Sequence, residues 1–182
     1  MIGQHKIIFT GPVGAGKTTA ITAISDIAPI STEQTATDET RDKKELTTVA
    51  MDYGSMRLDN GETLHLYGTP GQDRFNFMWD LLINGSIGVI IMIDDTNPDP
   101  LEDLRSFVSA FKEFIFDHAV VVGISRMELG KGLKISDYRS ALAKFELNVP
   151  VFEVDAREKD DVIMLVQALL YTLDPGLSGE AA

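Results

Sequence analysis

Eight consecutive residues near the start, Gly11-Pro12-Val13-Gly14-Ala15-Gly16-Lys17-Thr18, read G-x-x-x-x-G-K-T. Those types at that spacing suit one task, gripping phosphate groups. Glycines let backbone N–H groups converge on phosphate oxygens, Lys17 puts a positive charge between neighbouring phosphates, and the Thr18 hydroxyl can face a divalent cation. The task requires a strand before the loop and a helix opening at Lys17, whose N-terminus adds partial positive charge. Val13, Ala15 and Thr19 are counted with these residues as expected nucleotide contacts.

The elements on either side meet that requirement. Lys6 to Thr10 reads as a short buried strand, and Ala20, Ile21 and Ile24 recur at helical spacing after Lys17. Residues 29–47 are polar, Thr-rich and aperiodic, which predicts a long functional loop. Val49 to Leu58 and Thr63 to Tyr67 flank Asp59-Asn60-Gly61, a hairpin signal. A second Gly/Pro loop, Gly68 to Gln72, follows. Strands are then expected at Val89 to Ile93, Ala119 to Ile124 and Val151 to Val154. The helical stripes between and after them are Leu101, Leu104, Val108, Phe111, Ile115; then Tyr138, Ala141, Leu142, Phe145; then Val162, Leu165, Val166, Leu169, Leu170, Leu173.

Uninterrupted apolar strands alternating with amphipathic helices predict an α/β fold. Its sheet is mostly parallel, with one antiparallel edge strand from the hairpin and helices on both faces. Ligands of such sheets bind beyond the carboxyl ends of the strands. One domain over residues 1–174 is expected, with a flexible tail at 175–182 and no internal repeat.

Composition narrows the function. Acidic residues number 28 against 16 Lys and Arg, a net charge of −12, which argues against sequence-independent binding to nucleic acid or anionic lipid. Cysteine is absent, so disulfides, thiolate catalysis, Cys-ligated zinc and thiol-linked lipid anchors are excluded. The second residue is Ile2, which removes N-myristoylation, and no apolar run approaches the ~20 residues that span a bilayer. A cytoplasmic protein without a membrane anchor is expected.

From the phosphate loop through the Thr-containing segment and hairpin to Gly68-Thr69-Pro70-Gly71-Gln72, the order resembles a Ras-superfamily small GTPase, over residues 5 to 172. Met51-Asp52-Tyr53-Gly54, Leu64 to Gln72 and Phe75 to Trp79 narrow the resemblance to prokaryotic Ras-like GTPases, the MglA-like and conservon-type G proteins often associated with roadblock-domain partners. The resemblance implies a P-loop NTPase three-layer sandwich that binds GTP or GDP with Mg²⁺. It acts as a slow GTPase and molecular switch in bacterial signalling, polarity or motility, with a roadblock-type or other activating protein at its switch loops. Thr48 is then the first-switch threonine, binding Mg²⁺ with Thr18 and sensing the γ-phosphate, and Thr47 competes for the role. Gly71 supplies an N–H to the γ-phosphate. Gln72 orients the attacking water, and Lys17 shares the catalysis by neutralising charge.

Three departures from the family pattern stand out. The D-x-x-G aspartate is Gly68 here, an absence the MglA-like branch shares, so Mg²⁺ is expected either to rest more on Thr18 and phosphate oxygens or to be bound more weakly. The base-reading N/T-K-x-D is Ser125-Arg126-Met127-Glu128. Arg126 can lie over a purine, and Glu128 can accept both guanine N–H donors, though its extra methylene moves the carboxylate. Asp155-Ala156-Arg157 replaces Ser-Ala-Lys, with the Ala156 N–H near guanine O6. Guanine and adenine therefore both stay open. An arginine finger, the third matter, could come from Arg41, from Arg74 or from a partner.

Two other functions stay in view: an ATPase of the same fold, with Asp94 on Mg²⁺, and a nucleotide-holding interaction module with little hydrolysis. Asp94, Asp95, Asp99, Glu102 and Asp103 otherwise read as an acidic helix start. His5, His65 and His118 lack metal-ligand spacing and read as structural.

Overall fold

Residues 4–31, 51–70 and 82–173 are described by the structure, a computed structural model. Their strands are β1 (Gln4–Thr10), β2 (Ile30–Ser31), β3 (Asp52–Arg57), β4 (Thr63–Gly68), β5 (Gly88–Asp94), β6 (Ala119–Ser125) and β7 (Val151–Val154). The helices are α1 (Lys17–Ile24), α2 (Pro100–Ala110), α3 (Lys112–Asp117), α4 (Ile135–Ala143) and α5 (Lys159–Leu173).

Every residue of β5 and of β6 is buried, as their unbroken Val/Ile-rich runs require of strands covered on both faces. The strands form one sheet in the order β2-β3-β4-β1-β5-β6-β7. All neighbours from β4 to β7 pair in parallel, and β3 runs against both β2 and β4. Side chains alternate across the sheet. Ile7, Phe9, Ile90, Met92 and Val121 pack with Ala20, Ile21 and Ile24 of α1 and Val162, Leu165, Val166 and Leu169 of α5. On the opposite face Ile8, Val89, Ile91, Ile93 and Val122 pack with Leu104, Phe107 and Val108 of α2 and Tyr138, Ala141 and Leu142 of α4. These two cores make the expected three-layer sandwich.

Local signals explain several boundaries. Asp99 caps α2 by accepting from the Glu102 N–H at 3.0 Å, and Pro100 occupies the first turn, where its missing N–H costs nothing. Gly61 adopts φ 85°, closing a three-residue turn in which the Leu58 N–H donates to Glu62 O at 2.8 Å.

The structure departs from the sequence reading in three places. Ile30 and Ser31, placed in the long loop, pair with Tyr53 and Asp52, so the antiparallel β3 lies one strand in from the edge. The Leu101 to Ile115 stripe is two helices, because Phe111 leaves helical geometry (φ −100°, ψ 12°) while its ring stays buried. Phe145 lies beyond the end of α4 but still packs on the core. No described helix is long and apolar enough to cross a membrane.

The parallel topology brings the loops after β1, β4, β5, β6 and β7 to one edge of the sheet. The register pairs Phe9 with Gly68, Thr10 with Ile91, Asp94 with Ser125, and Ser125 with Val154. The connection after β1 runs through α1 to the β2 edge, whereas the one after the neighbouring β4 leads the other way to β5, and a crevice opens at such a reversal.

Candidate functional site

The loop after β1 has backbone geometry that only glycine supports easily. Gly11 sits at φ 137°, and a Cβ there would lie 2.0 Å from the Met92 carbonyl oxygen. Gly16 sits at φ 97°, and its Cβ would meet the Ala156 methyl at 2.9 Å. The two glycines therefore let the loop lie directly against β5 and the loop after β7. Val13 is exposed at the tip and Ala15 is fully buried beneath it. No side chain caps α1, and no acid occupies its first turn. The opening N–H groups of that helix, which an α-helix cannot satisfy internally, are left for an anion.

Lys17 lies under the loop with its Nζ donating to the carbonyls of Gly11 at 2.6 Å and Pro12 at 2.7 Å. Burial lowers its pKa to about 8, and the nearby Asp52 carboxylate opposes that shift. The ammonium is thus held in place and sparsely solvated, so an incoming phosphate meets a charge that water screens weakly.

Beside it, the Thr18 hydroxyl donates to Asp52 Oδ2. Asp52 opens β3, and its Cα partner on β4 is Gly68. A Cβ on Gly68 would lie 3.2 Å from that same carboxylate oxygen. The carboxylate that the sequence lacks at position 68 is supplied at this spot from the paired strand. Sequence reading passed over Asp52 as a site residue, yet the turn carried the signal. A three-residue turn centred on Asn60 sets positions eight residues to either side opposite each other, and those positions are Asp52 and Gly68. Thr69, just beyond, is tied back to β1: its N–H donates to Phe9 O at 2.9 Å, and its hydroxyl lies 2.9 Å from that of Thr10.

The far side of the crevice is built by the turns after β6 and β7. Ser125 is buried, with its hydroxyl 3.3 Å from Ala15 O and 3.2 Å from Ile93 O, which ties this turn to the phosphate loop. Arg126 adopts left-handed geometry (φ 58°) and opens a 3₁₀ turn over Met127–Leu129. Gly16, Thr19, Ser125, Arg126, Glu128 and Asp155 to Arg157 share the walls of a cleft of about 590 Å³. Arg157 grips Asp155 with Nη2–Oδ2 at 2.6 Å and holds that carboxyl down at about 2, so it stays ionised throughout the neutral range.

The structure therefore brings Gly11 to Thr19 together with Ser125, Arg126, Glu128, Asp155, Ala156 and Arg157. Thr48, Thr47, Arg41, Gly71, Gln72 and Arg74 lie outside the described residues. Of the expected acidic helix start, Asp99, Glu102 and Asp103 do open α2, but Asp94 and Asp95 are instead buried and bonded, Asp94 to Arg126 and Asp95 to Tyr138. The three histidines have local partners: His5 with Glu62, His65 with Tyr53, and His118 stacked on Phe114.

The fold agrees with comparisons to known proteins. The chain is 23% identical to the Ras-related protein RabC of Dictyostelium discoideum over 176 residues, covering 93% of this chain and 84% of that one. It is 29% identical to the Ras-related protein SEC4 of Saccharomyces cerevisiae over 122 residues, covering 64% and 56%. The G domain of the FeoB iron transporter of T. maritima has the same fold, with TM-score 0.66 and 16% identity over 94% of this chain and 100% of that one. The model of a family described as conserved hypothetical ATP binding protein matches residues 9–149, from the end of β1 almost to β7. With that match spanning most of a chain whose loops build a phosphate cradle and whose sequence is similar to Ras-related proteins, the protein belongs to this family of conserved hypothetical ATP binding proteins.

Proposed function

We propose that the chain is a small GTP-binding switch of the prokaryotic Ras-like kind, which binds GTP and GDP with Mg²⁺ and hydrolyses GTP slowly. The observation that carries this reading is the junction of two sites in one crevice. The phosphate cradle touches the turn bearing Glu128 through Ser125 and Ala15, and touches the following loop through Gly16 and Ala156. A carboxylate on the cleft wall suits a purine edge carrying two N–H donors, as guanine does. Adenine offers a lone pair at N1 and no 2-amino group.

The residues present fit Mg²⁺. Thr18 and Asp52 offer a hydroxyl and a carboxylate side by side, the hard oxygen donors this cation takes. No group of three or more His, Cys, Asp or Glu suited to a metal occurs among the described residues, as befits a cation held largely by substrate phosphates. When bound, Mg²⁺ supplies neutralisation of phosphate charge. The chain's own groups do the rest. Lys17 and the α1 N–H groups bind and orient the phosphates and stabilise charge on the leaving oxygen, and Gln72 aligns water. Thr48 and Gly71 sense the terminal phosphate, so its loss releases both loops and alters the face offered to a roadblock-type or other activator.

Adenine recognition is the second reading, favoured by the ATP-binding description of the matched family. Titration of nucleotide-free protein with GDP, GTP, ADP and ATP in Mg²⁺ decides between them. Guanine nucleotides should bind at least about tenfold more tightly. Single-turnover phosphate release should then show slow hydrolysis that Gln72→Leu abolishes without weakening binding. Equal affinity for both bases refutes the guanine reading, and no release at all leaves a nucleotide-holding module.

A further inference from the structure

Asp94 ends β5 and Asp95 follows it directly, and both are buried. Burying ionised groups is expensive unless each is fully paired, so a chain that buries two in a row must hold something with them. Neither lines the cleft. Both reach the turn that does.

Asp94 holds the start of that turn. Its Oδ2 accepts from Arg126 Nη1, while its Oδ1 accepts from the Thr96 N–H at 2.9 Å and the Thr96 hydroxyl at 2.6 Å. The side chain of Asp94 is 4% exposed against 50% for that of Arg126, so the arginine reaches from the surface to a buried anchor. Asp95 holds the end of the turn. Its Oδ1 accepts from the Tyr138 hydroxyl of α4, and its Oδ2 accepts from the Lys131 N–H at 3.2 Å. A Cβ on Gly130 would come within 1.7 Å of that Oδ2, so the backbone at the end of the turn lies directly on the carboxylate. Lys131 Nζ adds a bond to the Pro98 carbonyl in the loop after β5. Burial and the Asp95 carboxylate push the Tyr138 phenol above its ordinary range, which keeps its proton available to donate.

We infer that Asp94, Asp95 and Tyr138 are positioning residues that clamp both ends of the 126–130 turn, fix the Glu128 carboxylate in the cleft, and so set how sharply the site discriminates among purine bases. The inference rests on the reading of the cleft as a guanine site. The left-handed Arg126 makes the clamp necessary, because a non-glycine residue persists there only when its surroundings hold it.

The test titrates the full chain, with Mg²⁺, against GDP, inosine diphosphate and inorganic tripolyphosphate. Inosine lacks only the 2-amino donor, and tripolyphosphate reports the cradle alone. Wild type should prefer GDP. In Tyr138→Phe, which removes one hydroxyl, GDP affinity should fall about tenfold and the GDP-to-inosine ratio should collapse toward one. Tripolyphosphate affinity should stay within about twofold, since no cradle contact is touched. Asp94→Asn, acting at the other end of the turn, should give the same pattern. An unchanged ratio in the folded variants overturns the inference and leaves the guanine reading intact. Equal losses for all three ligands overturn it as well, because they mark general loosening of the fold. A wild type that does not separate GDP from inosine diphosphate or ADP overturns the guanine reading and the inference together.

Discussion

Removing the Asp52 carboxylate should weaken Mg²⁺ binding in the nucleotide complex, and the size of the effect follows from its place in the site. Asp52 accepts the Thr18 hydroxyl and stands where Gly68 offers no side chain. A hydrogen bond to an ionised acceptor contributes about 1.5–3 kcal/mol, and residues that support metal ligands typically change affinity by about 10–100-fold. At about 1.4 kcal/mol per factor of ten, the two ranges agree. The Thr18–Asp52 bond is solvent-exposed, which places Asp52→Asn near the lower end, about tenfold, since the amide still accepts from Thr18. Asp52→Ala loses the acceptor as well and should approach about 100-fold. The assay is retention of a fluorescent guanine diphosphate as free Mg²⁺ is lowered. The midpoint should move to higher Mg²⁺ while binding in excess chelator stays the same. Gly68→Asp alone should not help, because the new Cβ would sit 3.2 Å from Asp52 Oδ2 and two carboxylates would share one spot. The exchange Asp52→Gly with Gly68→Asp should recover most of the loss by returning one carboxylate from the other strand. An unshifted Mg²⁺ midpoint in Asp52→Ala would refute the reasoning, whatever the exchange variant does.

Triphosphate affinity should be full below pH 8 and fall as pH rises beyond it. The free protein loses the Lys17 proton near 8 whereas the bound anion favours the charged form, so each further pH unit costs up to about tenfold until the complex itself titrates; calorimetric titration from pH 7 to 10 checks the sign. Gly11→Ala and Gly14→Ala should separate two glycine costs in thermal melts. At Gly14 no atom lies within 4 Å of the added Cβ, so only its positive φ is charged, about 1–2 kcal/mol. At Gly11 the Cβ also strikes the Met92 carbonyl, and the loss should be clearly larger. Arg157→Ala should raise the Asp155 carboxyl from about 2 toward the ordinary carboxylate range in an NMR titration, with little effect on melting because the pair is exposed.

Much of this protein was legible in the chain because its signals are local. G-x-x-x-x-G-K-T names its chemistry in one turn of backbone. The unbroken apolar runs within β5 and β6 and the helical stripe of α5 announce burial on both faces and on one face respectively. Ser125, Glu128 and Ala156 could be placed on the crevice because parallel strands deliver their carboxyl-end loops to one edge. What sequence order could not settle were relations between segments far apart in the chain. The two-residue β2 carries too few residues to show a period and exists through its pairing with β3. Asp94 and Asp95 read as part of an acidic helix start because nothing nearby reveals that Arg126 and Tyr138, 32 and 43 residues on, fold over them. Asp52 is the clearest case. The hairpin turn already sets it opposite Gly68, but only the packing of α1 against the sheet brings Thr18 to it. Residue types decided what chemistry was possible. The pairing of strands decided which side chains share a point in space, because register is fixed by the summed packing of the sheet and not by any one position.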